Sequence, residues 1–221
     1  MQFEDYIKKI REAADETGAP QNWAAFQVTL GKEGPLYRFA LPFAKWGERD
    51  QWGSPRGMLV QAFGEQEGMQ IFNQGTGAVI STTVRVWELV TEGSGEVPTT
   101  VELAPHYDVM IRHVKPEMIA EYLGLLRRFK SAYDAQDKNP QVTRWVLRFG
   151  ERSGTTFRRA QPLENFAQYD TFNARAVIAD HFGADAQMIF DRLNRVVLKT
   201  ERFISTHRPD LSRATTATTN D

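Results

Sequence analysis

Four histidines, His106, His113, His181 and His207, are the side chains of this 221-residue chain best suited to moving protons near neutral pH. No two of them fall three or four residues apart on one helix, and neither HxxE nor HExxH occurs, so a dedicated metal site is not expected. His181 has the most suggestive surroundings. On a helix over 174–182 it shares an apolar face with Ala174, Val177 and Ile178. An imidazole facing a cavity between that helix and a sheet could serve as general base, which makes His181 the candidate catalytic residue, or as a haem ligand. The competing reading is a partly buried histidine held by a backbone partner. Along 107–115, His113 alternates with Tyr107, Val109 and Ile111 on one strand face, while Asp108, Met110 and Arg112 take the other. His113 is therefore either a substrate contact or a polar contact inside a sheet.

Arg158 offers a fixed positive charge for an anionic group. Arg38 precedes it by 120 positions, and Asp50 precedes Asp170 by the same interval, a repetition that favours structural partners over a binding site. The aromatics Phe43, Trp46, Trp52, Phe166, Tyr169 and Phe172 gather beside the ends of two predicted hairpins. As a pocket wall they suit a flat apolar ligand, and they serve equally well as core. Phe166, Tyr169 and Phe172 join His113 and Arg158 as the candidate substrate-binding set. Other chemistries lack their residues. The chain has no cysteine, which removes disulfides, thiolate metal sites and cysteine nucleophiles. It has no GxSxG elbow; EGSGEVP lacks the Lys-Ser/Thr of a phosphate loop, and NQGTGAV (73–79) runs into a predicted strand. A formal net charge of −1 gives no field for nucleic acid or anionic membrane, and no apolar run approaches the ~20 residues of a bilayer span. A cytoplasmic protein is the expectation.

The elements that would position these residues follow from periodicity. Met118, Ile119, Tyr122, Leu123, Leu126, Phe129 and Tyr133 step by three and four, as do Phe3, Tyr6, Ile7, Ile10 and Ala14, predicting two amphipathic helices. Hairpins are predicted over 22–41 and 141–161, each turning at a glycine. Short helices over 55–63 and 174–182, capped by Ser54 and Asn173, lead through further helical turns to long strands over 78–91 and 196–207. YRFALPFAKWGERDQW (37–52) and FRRAQPLENFAQYDTF (157–172) echo one another, and matches continue on either side with small changes of offset. The pattern reads as a duplicated unit. The second copy opens with a strand over 107–115, giving strand, helix, strand, strand, helix, strand, a ferredoxin-like order. The first copy lacks that opening strand, and residues 98–104 are expected to supply it or to serve as a linker. The expected organisation is a first unit over 1–93, a connection over 94–105, a second unit over 106–212 and a disordered tail over 213–221.

Tandem ferredoxin-like units with long aromatic-rich final strands, an IRHVKPE entry from strand to helix and a closing RPDLS (208–212) resemble the dimeric α/β-barrel superfamily. Its NIPSNAP-like and antibiotic-biosynthesis-monooxygenase-like members are the most similar. The resemblance covers residues 1–212 and implies an α+β fold in which two ferredoxin-like units form an α/β barrel, with pockets between a sheet and its helices and with a homodimer as the assembly. It implies a small-molecule oxygenase or cyclase acting on an aromatic or apolar substrate without metal or other cofactor. The competing functions are a non-catalytic ligand- or haem-binding protein, or an interaction protein that dimerises through its barrel. Because Ala62 occupies the first-copy position of His181, any chemistry is expected in the second copy.

Overall fold

The computed structural model describes residues 1–32, 34–91, 94–95, 103–135, 141–168 and 173–213. It is a mixed α+β structure with seven strands in one sheet. In chain order the elements are α1 (Phe3–Glu16), β1 (Ala24–Leu30), β2 (Leu36–Ala40), α2 (Pro55–Phe63), α3 (Glu65–Thr76), β3 (Val86–Leu89), β4 (His106–Val114), α4 (Ile119–Asp134), β5 (Thr143–Phe149), β6 (Thr156–Leu163), α5 (Ala174–Phe182), α6 (Ala186–Val196) and β7 (Val197–His207). The strand order is β2-β1-β7-β4-β6-β5-β3. The chain divides into two compact units, one holding residues 1–27, 36–83 and the segment from His207 onward, the other holding 28–35 and 84–206.

In the first unit α1 buries Tyr6, Ile7, Ile10, Ala13 and Ala14, the stripe its spacing predicts. Ser54 caps α2, its hydroxyl accepting from the Gly57 amide at 3.0 Å, with Pro55 in the first turn. Gly64, at φ +81°, ends α2 and starts α3 at once. Glycines also set how closely these helices pack. A Cβ on Gly68 would lie 2.5 Å from the Leu59 carbonyl oxygen, and one on Gly75 would lie 2.1 Å from the Tyr6 ring. Leu59 and Ile71 fill the core beneath.

RPDLS and the residue after it tie this unit together. The Arg208 amide donates to the Ala25 carbonyl, the Ala25 amide to the Ser212 hydroxyl, and the Trp23 indole to the Leu211 carbonyl. Arg213, expected to open a disordered tail, is only 6% exposed. It exchanges both backbone bonds with Trp23 at 2.9 Å, and its guanidinium donates to Asp15 and to the carbonyls of Ala14, Ala19 and Gln21. A buried guanidinium with this many acceptors anchors its segment. The rest of the expected tail, 214–221, lies outside the described residues.

In the second unit the order β4-α4-β5-β6-α5-α6-β7 meets the expected alternation, and its strands lie side by side as β7-β4-β6-β5. β4 is antiparallel to both β6 and β7, and β5 to β6. Asn173 caps α5 by accepting from the Arg175 and Ala176 amides. The main difference from expectation is at 78–91. Only Val86–Leu89 forms a strand, antiparallel to β5. Ile80 and Val84 are exposed, and strand preference without packing does not hold a strand. Residues 98–102, part of the expected opening strand of the first copy, lie outside the described residues, and Leu103 and Ala104 are not in a strand.

Gly68→Ala is expected to destabilise the protein by about 1–3 kcal/mol despite the better helix propensity of alanine, because its methyl meets backbone that cannot rotate away. Gly47→Ala, with open space around the added methyl, should be near neutral. Urea midpoints of the two variants and wild type check the pair.

Candidate ligand-binding site

β4 is paired along both edges, so its alternation divides the second unit into two faces. Val114 on β4, Phe157 on β6 and Val146 on β5 share a core with α4, α5 and α6 and mark the helix side. The opposite face carries Tyr107, Val109, Ile111 and His113. Cross-strand register adds Phe203 and Ser205 from β7, Ala160 and Arg158 from β6, and Trp145 from β5. Val109, Ile111, Ala160 and Phe203 are buried, with Tyr107 and Trp145 packed against them.

Arg158 stands in one cross-strand row between Ile111 and Trp145. Its guanidinium lies 4.8 Å from the centre of the Trp145 ring, a cation–π distance. No acid pairs with it, and its buried Nε has no hydrogen-bond partner among the described residues. Burial lowers its pKa to about 10, partly opposed by Tyr107, so it remains a cation at neutral pH. Tyr107 accepts a hydrogen bond from the Ala104 amide, and burial raises the pKa of its phenol, keeping it protonated. Directly across β7 from Tyr107 is Ser205, whose buried hydroxyl also lacks a partner. A guanidinium with no acid among the described residues, an unpartnered hydroxyl and a phenol share one apolar face with an indole, groups that could meet a flat ligand bearing an anionic oxygen.

His113 lies on this same face at its polar end. One ring nitrogen is 3.1 Å from the Thr156 hydroxyl and the other 3.6 Å from Glu201. Hydrogen bonds from Lys32 and Lys199 hold the Glu201 carboxyl at a pKa of about 2, well below its ordinary value. Of the expected set, His113 and Arg158 are brought onto one face, though it is the face away from α4, α5 and α6 and not a cleft between sheet and helices. Phe166 is 46% exposed and stacks on His106 on the other side of β4, ring centres 4.6 Å apart. Tyr169 and Phe172 lie outside the described residues. His181 is exposed, edge-on to Phe182. The reason is helical geometry: Ala174, Val177, Ile178 and Phe182 point inward, which leaves His181 on the exposed flank of the last turn. Trp145, Tyr107 and Ser205 were not singled out as site residues by sequence, although Trp145 follows from the period-two reading of QVTRWVLRFG.

Haem does not fit these histidines. His113 is held at both nitrogens, His106 is bound to Thr206 and stacked on Phe166, His207 is bonded to Ser212, and His181 is exposed at a helix end. Among the described residues no group of acids and histidines could hold a metal ion. The concavities along α2 and α3, lined by Arg56, Gln61, Glu65 and Met69 in one case, lie in the first unit and are shallow and open.

No family model matches the chain, and no curated protein matches it. Solved structures do. A provisionally named monooxygenase from Lactobacillus acidophilus aligns at TM-score 0.52 and 8% identity, over 93% of this chain and 85% of that one. A second, from Fusobacterium nucleatum, aligns at TM-score 0.50 and 8% identity, over 92% and 84%. An anthrone oxidase-like protein gives 0.47 at 14% identity, over 92% and 84%. At 8% identity the first two likenesses show a shared α+β fold, and the fold alone. Among the described residues no helix is long and apolar enough to cross a membrane.

Glu201→Gln removes a carboxylate whose folded pKa lies below its unfolded one, so the stability it contributes is present above about pH 4.5 and lost as pH falls toward 2. The variant should be less stable than wild type at pH 7 by about 1–2 kcal/mol, a range reduced for the screening of its partly exposed lysines. The two should converge near pH 2–3. Urea unfolding across that range checks it.

Proposed function

We propose that the protein is a small-molecule oxygenase or cyclase of the α/β-barrel type, acting without a metal on a flat aromatic substrate held over Arg158. The single observation that carries this reading is the partly buried Arg158 guanidinium, set against Trp145 and paired with no acid among the described residues. Both reactions begin from the same species, a phenolate or enolate. An electron-rich anion of this kind can give electrons to dioxygen, or attack a carbonyl of its own chain. A fixed cation in a water-poor site stabilises that negative charge as it develops, which is where an enzyme gains most. Tyr107, a neutral phenol on the same face, would border that oxygen, and the Ser205 hydroxyl could donate to it. Trp145 would lie flat against the ring system. His113, already held by Thr156 and Glu201, would border the substrate at the polar end.

The duplication belongs to the same proposal. If the copies are aligned as the sequence echo suggests, β1 corresponds to β5 and β3 to β7. The neighbour pairs β1–β7 and β5–β3 then exchange with one another. The homodimer implied by the resemblance is read out by sedimentation.

The test uses a hydroxylated anthraquinone as probe, followed by quenching of tryptophan fluorescence. Wild type should bind its phenolate form, Arg158→Met should bind about ten- to hundredfold more weakly, and Tyr107→Phe should lose less. Oxygen uptake with enolisable tricyclic ketones then separates turnover from binding. Tight binding with no uptake and no cyclised product would favour the non-catalytic ligand-binding function. Equal affinity in Arg158→Met and wild type would remove the basis of the reading.

A further inference from the structure

The helix side of the same sheet holds a second concentration of charge that the proposed reaction does not use. Register places Arg202, Met110, Arg159 and Arg144 in one cross-strand row running over β7, β4, β6 and β5. Arg112 lies one row toward the core and Asp108 one row the other way, opposite Gln161. Asp108, 1% exposed, accepts from Arg159 and, at 2.9 Å twice, from Arg202, while Arg159 also reaches Gln161 at 3.1 Å. No carboxylate reaches Arg144 or Arg112 among the described residues. The acids on elements nearby are taken elsewhere: Glu121 on α4 by Arg192 and Arg195, Asp134 by Lys130, Glu88 on β3 by Arg148.

Arg144 is 4% exposed, yet its guanidinium makes no hydrogen bond or ion pair among the described residues; it rests 5.9 Å from the centre of the Tyr133 ring. Burial, with Arg159 and Arg112 acting in the same direction, lowers its pKa to about 10. The buried Nε of Arg159 also has no partner. Arg112, half-buried, makes no hydrogen bond or ion pair among the described residues. Like charges facing across a ladder repel, and a buried cation without an anion is costly. Arg144 and Arg112, beside a carboxylate already shared by Arg159 and Arg202, leave about two positive charges to be met.

We propose that this face binds a small oxyanion of charge near −2, a phosphate group or a compact dicarboxylate, with Arg144 and Arg112 as its principal ligands and the unpartnered Nε of Arg159 as a further donor. Planar guanidinium forks match such oxygens two at a time. The site lies on the opposite side of β4 from Arg158 and is independent of the proposed reaction.

Thermal unfolding of the full chain in inorganic phosphate, pyrophosphate, malonate and sodium chloride at equal ionic strength provides the test, with titration calorimetry for affinity. At a hundred times Kd the bound oxyanion should raise Tm by about 5–10 °C over chloride. Response to the phosphates alone identifies a phosphoryl ligand, and response to malonate alone a dicarboxylate. Arg144→Met should unfold no lower than wild type in plain buffer, because it removes an unpaired buried charge, and should lose the shift. Arg112→Met should lose most of it, and Arg148→Met, at an exposed pair on β5, should keep it. No shift in wild type with any of the three oxyanions overturns the proposal. So does a shift that survives in both Arg144→Met and Arg112→Met, or one abolished by Arg158→Met alone.

Discussion

The second unit is organised by one constraint, the double pairing of β4. With ladder bonds to β6 on one edge and β7 on the other, its register cannot slip by one residue without turning every side chain to the wrong face. Such a slip would drive Asp108 out of its arginine partners and Val109 and Ile111 out of their core. The fixed alternation creates two electrostatic settings within the thickness of one strand. One face is apolar with a single cation, Arg158, set against an indole. The other places Asp108 among several cations beneath the helices. Arg158 and Arg159 are neighbours in sequence and meet these two settings separately, because consecutive strand residues point in opposite directions.

Much of the scaffold was legible because local chemistry and tertiary packing agree. The apolar stripes of α1 and α4, the caps at Ser54 and Asn173 and the stop at Gly64 all occur where their residue types place them. Legibility failed where one residue separates two outcomes. A stripe through 174, 177, 178 and 181 and one through 174, 177, 178 and 182 differ in a single residue, and packing chose Phe182 over His181. At 78–91 the β-branched residues state a preference, but only a partner strand decides, and among the described residues one exists for Val86–Leu89 alone. Trp145, Tyr107 and Ser205 stand on three different strands. Their grouping depends on register, which periodicity does not encode. Arg144 and Arg159 were hidden for a different reason: an arginine within an alternating strand reads as solvent-facing, and here it is not.

The first unit shows how a sequence signature can be a folding device. RPDLS, with the arginine that follows, satisfies the edge of β1 and the end of α1 together, through Ser212, Leu211 and Arg213. Arg208 adds a bidentate pair with Glu4, which itself accepts from the Tyr37 hydroxyl at 2.5 Å. Those bonds to Arg208 and Tyr37 hold the Glu4 carboxyl at a pKa of about 2. Every polar group of the motif is committed to structure, so its recurrence in other chains would signal this closure and not a shared reaction.

The pairing of β1 with β7 has a consequence for how the molecule is made. The Thr29 and Thr206 hydroxyls lie 3.3 Å apart across 177 residues of chain, and Gly31 approaches the β7 backbone so closely that an added Cβ would be 2.6 Å from the Arg202 carbonyl oxygen. During synthesis the N-terminal hairpin emerges long before its partner. At roughly 5–20 residues per second that edge waits on the order of ten seconds or more with its hydrogen-bonding groups open to any other strand. Contacts between residues so distant in sequence also form late in folding, since the intervening loop must be closed first. Gln27, Thr29 and Lys32, polar residues spaced along that waiting edge, are well suited to keep it from pairing with a copy of itself before β7 arrives.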